Sequence, residues 1–318
     1  MYKTMIKRAF LVFAIIVCCI AAFAQREQVG EAVTFHDTTW YDRGFDFYIG
    51  GGMFKGGMKT ALYYNGSVYN KECNLNYIFD NKYRVLELKE AIVKVYPHIS
   101  LDDQIGFREQ DLDKLPTYNI SAAICLGVRY KIRNNWGISL SYTFSRLTTT
   151  NKFLLYIPGH VSSNTYRIPE MTLSAKEDRS MIDLSASYLF SGVHKIVKPF
   201  IEVGAQFNYV KVKKFDAVLL DDRNNPVYTQ TLMDIYGGAN YEPNIDMQTY
   251  DVIYGGPGFG ISFAAGLKLV VNKFVSIDPT FYGCFDQLNL APYGSKVMAF
   301  NYGVMLRVVM NDFFFQNR

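Results

Sequence analysis

The sequence is poor in the residue types that would indicate a catalytic, redox or nucleic-acid-binding protein. It has only four histidines, and none of them form a His-x-x-x-His metal pair. Three of its five cysteines lie beyond the N-terminal segment (Cys73, Cys125 and Cys284), without Cys-x-x-Cys spacing, so at most one disulfide is open to them. The net charge is only +4, which argues against nucleic acid. We therefore expect no cofactor, no metal site and no nucleic-acid partner.

Long apolar runs are also absent after the first two dozen residues, which excludes a later membrane helix. The N-terminal run itself is short and follows a positive start made by Lys3, Lys7 and Arg8. Small residues at Ala22 and Ala24 then stand at the spacing of a cleavage site. We predict a signal peptide over residues 1–24, whose removal leaves a net charge of +1 on an exported chain.

The chain is rich instead in aromatics and glycine, with 24 Tyr, 24 Phe and 24 Gly. These residues fall in segments where apolar side chains alternate with small or polar ones. The clearest segment runs from Ile120 to Ile132, where every second residue is apolar and the others include Ser121, Arg129 and Lys131. A strand that is apolar on one face and polar on the other suits a wall between lipid and an enclosed interior.

Eight such segments occur, and the connections between them alternate between long and short. Their apolar faces begin at Phe45, Ile120, Trp136, Ile182, Ile201, Phe259, Val275 and Met298. We predict an all-β membrane protein, an antiparallel up-and-down transmembrane barrel over 45–312. It follows a periplasmic segment (25–44) and precedes a C-terminal tail (313–318). The external loops are expected at about 54–118, 148–179, 215–257 and 286–296. A ten-stranded barrel using 165–174 or 248–254 is the alternative.

By these segments the chain resembles small outer-membrane barrels of the OmpA-transmembrane-domain and OmpX kind. The stretches Tyr63-Tyr64-Asn65-Gly66 and Asn74-Leu75-Asn76-Tyr77 look most like uncharacterised outer-membrane barrels of Bacteroidota. The resemblance implies the outer membrane of a Gram-negative bacterium, with its lipid and lipopolysaccharide as surroundings. It also implies recognition by the outer-membrane assembly machinery, although Phe313-Phe314-Phe315 is displaced from the C-terminus by three polar residues.

Charged residues on the inward faces form the first candidate site. They are Asp46, Arg129, Lys131, Asp183, Glu202, Lys268, Asp278 and Arg307. Eight strands enclose an interior that side chains can fill, and burying an unpaired charge there is costly. We therefore expect a salt-bridged filling in preference to an ion or proton path.

The first external loop is the second candidate site, because it is about 60 residues long and such loops are usually functional. Helical spacing is present over Tyr77–Val95, and Ser100 with Asp103 resembles the start of a second short helix. Aromatic residues supply a candidate interaction surface: Tyr63, Tyr64, Tyr69, Tyr77, Phe79 and Tyr83. Packing of the loop upon itself explains them equally well.

Three functional hypotheses follow. The leading one is a non-enzymatic barrel whose external loops contact a protein, such as another envelope protein, or a surface glycan. The second is a structural barrel that stabilises the envelope. The third is an outer-leaflet lipid-modifying enzyme, in which His160, Ser162 or Ser163, and Glu170 meet in the second external loop. No Gly-x-Ser-x-Gly context supports that enzyme.

Overall fold

The computed structural model describes residues 44–70, 73–133, 135–159, 168–190, 196–221, 223–233, 254–272, 274–291 and 296–311. Its strands are β1 (Gly44–Lys55), β2 (Ser121–Arg133), β3 (Trp136–Leu154), β4 (Glu170–Leu189), β5 (Val197–Leu220), β6 (Pro226–Thr231), β7 (Gly255–Val270), β8 (Val275–Asn289) and β9 (Lys296–Met310). The helices are α1 (Met58–Ala61), α2 (Asn76–Phe79) and α3 (Lys82–Val95), with 3₁₀ turns at Leu62–Tyr64 and Glu109–Asp111. No described helix is long and apolar enough to cross a membrane.

Within the described residues, eight strands pair in a closed antiparallel ring. The order is β1-β2-β3-β4-β5-β7-β8-β9, and β9 pairs back onto β1. The predicted eight-stranded transmembrane barrel is therefore confirmed, and the ring has no place for a ninth or tenth strand. The seam between β1 and β9 joins residues far apart in sequence, for example Gly52 opposite Met305.

Alternation along each strand sets what faces outward. On β3 the residues Trp136, Ile138, Leu140 and Tyr142 are exposed, while Gly137, Ser139, Ser141 and Thr143 between them are buried. The same pattern on the other strands makes a continuous apolar belt around the barrel. The interior therefore holds the polar and charged side chains, together with buried apolar ones such as Met181 and Met305.

Polar turns close the strands at one end of the barrel. Asn135 takes a left-handed conformation (φ 71°) between β2 and β3, as a tight hairpin requires. Asn272 accepts hydrogen bonds from the backbone N–H groups of Phe274 and Val275, both at 2.8 Å, between β7 and β8. The connection predicted at 191–195 lies outside the described residues.

At the opposite end, several strands are longer than predicted, most of all β3, β4 and β5. β3 continues to Leu154 and β4 starts at Glu170, so the expected loop 148–179 is mostly strand. β5 continues to Leu220 and pairs with the unpredicted β6, within the expected loop 215–257. The apolar outward residues end near Phe144, but backbone pairing continues above them. β8 also extends, to Asn289.

These upper strand segments and the first loop fold into one compact structure, which we call the head (residues 56–70, 73–120, 147–157, 168–177, 212–220 and 226–233). Its apolar core includes Leu75, Ile78, Leu88, Ile92, Leu155, Leu173, Phe215, Leu219, Tyr228 and Leu232, all buried. The predicted helix over Tyr77–Val95 forms as α2 and α3, which are interrupted at Asp80 and Asn81. The second predicted helix is absent; Ser100 and Asp103 instead close a turn, in which Asp103 accepts the backbone N–H of Ser100 at 2.8 Å.

Asn81 caps helix α3. Its side-chain oxygen accepts hydrogen bonds from the backbone N–H groups of Tyr83 and Arg84 at 3.0 and 3.1 Å. Because an uncapped helix start costs about 1 kcal/mol, we expect Asn81→Ala to speed hydrogen exchange of the α3 amides roughly fivefold. The exposed Glu87→Ala change in mid-helix is the control and leaves exchange unchanged. Equal exchange in both variants would show that the cap contributes nothing.

Candidate functional site

The eight predicted inward charges lie inside the barrel. Seven of them form two ion-pair clusters, and the eighth, Asp183, is hydrogen-bonded by neutral side chains. Near the turns, Asp46 binds Lys131 (Oδ1–Nζ 2.8 Å) and Lys268 (Oδ2–Nζ 3.4 Å). Lys268 also donates to Asn311 Oδ1 at 2.7 Å. Two cations thus share one carboxylate and an amide oxygen at the turn end of the lumen.

Glu202 is the centre of the second cluster. Its Oε1 lies 2.6 Å from Arg129 Nη2 and its Oε2 lies 2.8 Å from Arg307 Nη1, and all three side chains are buried. Arg129 also approaches Asp278 at 3.7 Å, and Arg307 lies over the ring of Tyr48. One carboxylate therefore bridges strands β2, β5 and β9 across the lumen.

Asp183 is held by neutral groups, since no described cation lies within ion-pair distance of it. It accepts hydrogen bonds from Gln206 Nε2 at 2.9 Å and from the hydroxyl of Tyr282 at 3.2 Å. Gln206 also donates to Tyr282. The lumen is thus filled by side chains from strands on opposite walls.

A further cluster, at the mouth of the barrel, was missed by sequence reasoning. Glu177 and Arg179 on β4 are fully buried and pair at 2.6 Å. Arg179 also donates to Asn301 Oδ1 at 2.8 Å and to Thr60 Oγ1 at 3.2 Å. The predicted loop had included both β4 residues, although their alternation with Asp178 and Ser180 was the signal that β4 had already begun.

The same cluster fixes the first loop in the mouth. The hydroxyl of Tyr64 donates to Glu177, and the backbone N–H of Gly57 donates to Asn301 Oδ1 at 2.8 Å. Burial raises the pKa of Tyr64 well above its usual value, so this hydroxyl remains a donor. The head is therefore attached to the barrel by polar contacts in addition to its shared strands.

The predicted aromatic interaction surface is only partly at the surface. Tyr64 is fully buried and Tyr63 is buried beside it, with their rings in an edge-to-face arrangement at 5.2 Å, so for these two the other explanation, packing of the loop upon itself, applies. They pack because the 3₁₀ turn at Leu62–Tyr64 lies in the barrel mouth. The intermediate exposures of Tyr77, Phe79 and Tyr83 fit partial packing within the head. Tyr69 alone of the six is fully at the surface, with 87% of its area exposed.

Tyr69 lines a shallow cleft of about 400 Å³ on the head. The cleft is bounded by Leu62, Asn65, Ser67, Tyr69, Glu109, Gln110, Leu112, Asp113 and Lys114. Glu109 accepts the hydroxyl of Ser67 at 3.0 Å and the backbone N–H of Val68 at 2.7 Å, which fixes the segment that carries Tyr69. The cleft thus combines an exposed aromatic ring with amide and charged groups.

Metal binding, disulfide formation and the predicted lipid-modifying triad have little support among the residues that the structure describes. No group of three or more His, Cys, Asp or Glu side chains there is placed to hold a metal ion, and the buried residues Cys73, Cys125 and Cys284 form no disulfide with one another. His160, Ser162 and Ser163 lie outside the described residues. Glu170, their expected acid partner, is at the surface and pairs with Lys152 at 2.8 Å.

Comparisons with known proteins return structures but no family. No protein-family model matches the chain, and no curated protein matches it. It is similar to neisserial surface protein A (NspA), with 10% identity and a TM-score of 0.36, over 83% of this chain and 96% of that chain. Ail of Yersinia pestis gives 11% identity and 0.30, over 84% and 97%. OprG of Pseudomonas aeruginosa gives 9% and 0.33, over 85% and 94%. At these scores the similarities assign no function, and the transmembrane barrel rests on the strand pairing of this chain itself.

Proposed function

We propose that the protein resides in the outer membrane of a Gram-negative bacterium. An eight-stranded antiparallel ring with an apolar outer belt, short turns at one end and a large head at the other supports this location. The predicted signal peptide and C-terminal aromatic run fit export and recognition by the assembly machinery, and the Bacteroidota affiliation stays a prediction. Membrane fractionation with a semi-native gel, in which folded barrels migrate apart from heated ones, tests the location.

We further propose a non-enzymatic role in which the head contacts a partner, either an envelope protein or a surface glycan. The observation that carries this proposal is an ordered head with its own apolar core, fixed to the barrel by the cluster of Glu177 and Arg179. A barrel that only stabilised the envelope would not need so large an ordered structure outside the belt. The filled lumen gives no support to a transport role, because buried ion pairs occupy it.

The cleft around Tyr69 is the proposed contact site, since exposed tyrosine supplies amphipathic contact area at low entropic cost. We expect Tyr69→Ala to reduce capture of the partner at least about tenfold, as removal of a central aromatic contact usually does. Affinity purification in mild detergent followed by mass spectrometry detects a protein partner, and a glycan array detects a sugar. Leu86→Ala, an exposed apolar change on α3 outside the cleft, is the control.

Unchanged capture by the Tyr69→Ala variant contradicts the cleft as contact site. If neither the affinity purification nor the glycan array detects a partner, the result favours the structural barrel instead. A deletion of residues 56–116 is not a suitable test, because it would uncover Glu177, Arg179 and the apolar core of the head.

The lipid-modifying enzyme remains the alternative that a single variant decides. A lipid A profile unchanged by His160→Ala would exclude the enzyme. Loss of a modified lipid A species in that variant would instead support the enzyme over the contact role. The pairing of Glu170 with Lys152 favours the first result.

A further inference from the structure

The outward face of β3, β4 and β5 changes abruptly from apolar to basic just above the apolar belt. The top row of the belt pairs Phe144, Ser180 and Tyr209 across these strands. The next outward row pairs Arg146, Asp178 and Lys211, and the row above it pairs Thr148, Lys176 and Lys214. Lys213 lies in the irregularity of β5 between these rows. We call Arg146, Lys176, Lys211, Lys213 and Lys214 the basic patch.

The patch occupies one sector of the circumference and is not a uniform ring. On β7 and β8 the outward residues at the upper end are uncharged, namely Pro257, Phe259, Phe285 and Gln287. β1 and β9 carry a single outward lysine each at that end, Lys55 and Lys296. General solubility would not concentrate cations on three adjacent strands. A localised ligand explains the asymmetry better.

Acidic neighbours neutralise only part of the patch. Asp178 accepts Arg146 Nε at 2.6 Å and Nη2 at 3.1 Å, and Lys213 Nζ lies 3.9 Å from it. Lys214 pairs with Asp216 at 2.9 Å. Within the described part of the chain, Lys176 and Lys211 form no ion pair. Five cations against two carboxylates leave a surplus of three positive charges.

We propose that the basic patch binds the phosphate groups of an anionic outer-leaflet lipid. Lysine and arginine are the phosphate-binding side chains of proteins, and lysines snorkel from an apolar stem to a headgroup. The acyl chains of such a lipid would lie on the belt directly below, against Tyr142, Ile182 and Phe207. The proposal rests on the proposed membrane location but not on the cleft around Tyr69.

The position of the patch favours a membrane lipid over a soluble polyanion. It begins one outward row above Tyr209, whereas the upper part of the outward face carries the balanced pair Lys152–Glu170. Lys152 is six residues beyond Arg146 on β3, which is about 20 Å at 3.3 Å per residue. The surplus charge is therefore at headgroup height and not at the top of the head.

The test uses the full-length chain folded in phosphatidylcholine nanodiscs, with bis-phosphorylated lipid A as the probe and native mass spectrometry as the readout. The variant Lys176→Gln/Lys211→Gln/Lys213→Gln is compared with Lys82→Gln/Lys94→Gln/Lys152→Gln, which loses the same charge from elsewhere on the head. Since each cation near a charged membrane surface strengthens the attraction to anionic lipid, we expect lipid A binding at least about tenfold weaker in the first variant only. Binding by the parent chain should also fall as salt rises.

Equal losses in both variants would overturn the proposal in favour of a net-charge effect. Equal binding of lipid A stripped of its phosphates would overturn it as well. Tight binding of inositol hexakisphosphate in detergent, sensitive to the same variant, without lipid A binding would identify a soluble polyanion instead. If the triple variant gives no folded band on a semi-native gel, Lys211→Gln alone replaces it, with a smaller loss expected. Capture through Tyr69 is measured separately, so either proposal can fail without the other.

Discussion

Replacing Glu202 with alanine is expected to lower the free energy of unfolding of the barrel by about 3–5 kcal/mol. The carboxylate accepts from Arg129 at 2.6 Å and from Arg307 at 2.8 Å, and the three groups are buried between β2, β5 and β9. Its removal leaves two guanidinium groups in the lumen without their shared counter-ion, and an unpaired buried charge costs far more than the pair contributes when intact. Denaturant unfolding of the protein in detergent micelles, followed by tryptophan fluorescence, measures the change.

The matched control is Glu170→Ala, which removes an acid from the exposed pair with Lys152. An exposed pair contributes about 0–1 kcal/mol, so this variant should unfold nearly as the parent does. If both variants change stability equally, the lumen ion pairs are not the elements that hold the walls together. A loss below about 1 kcal/mol for Glu202→Ala would lead to the same conclusion.

Gly52→Ala is expected to destabilise the barrel strongly although it adds only one methyl group. Gly52 lies on β1 at the seam with β9, and a Cβ there would come within 2.0 Å of the backbone oxygen of Val304 and 2.7 Å of Met305 Cα. Both neighbours are backbone atoms of the paired strand, so no side-chain rotation can relieve the overlap. Because overpacking against a fixed neighbour costs 1–3 kcal/mol or more, we expect a destabilisation of at least about 3 kcal/mol and less folded protein.

The adjacent residue supplies the control. Gly51 faces outward, and a Cβ on it would meet nothing nearer than the backbone oxygen of Ala123 at 3.9 Å. Gly51→Ala should therefore fold as well as the parent chain, with an unchanged ratio of folded to unfolded bands on a semi-native gel. Equal behaviour of the two alanine variants would mean that the β1–β9 seam is looser than its register indicates.

Much of the barrel could be predicted from the sequence because alternation carries two kinds of information at once. The period of two indicates a strand, and the residue type at alternate positions indicates which face meets lipid. The same rule placed Asp46, Arg129, Glu202 and Arg307 inside before any pairing was known. Their partners could not be predicted, since pairing depends on which opposite walls come within reach.

The upper strands escaped prediction for a physical reason. Above Phe144 the outward residues become polar, as Arg146 and Lys176 do, so the contrast between the faces is lost although the hydrogen-bond ladder continues. Glu177 and Arg179 were hidden in that region. The burial of Tyr63 and Tyr64 could not be decided from the sequence, because a 3₁₀ turn has no periodic face that reveals which side will be packed. β6 is only six residues long and carries too little pattern to be found.

The unbroken ladder of β3 and β4 has a mechanical consequence. The β3–β4 ladder runs without interruption from Trp136 opposite Tyr188 to Leu154 opposite Glu170, from the turns into the head. A pull on the head therefore loads many parallel hydrogen bonds in shear, and β3 and β4 connect the head to the membrane-spanning part of the barrel without an intervening loop. A partner bound by the head is therefore held at a fixed distance from the bilayer and in a fixed orientation. Force on that partner is transmitted directly to the barrel wall.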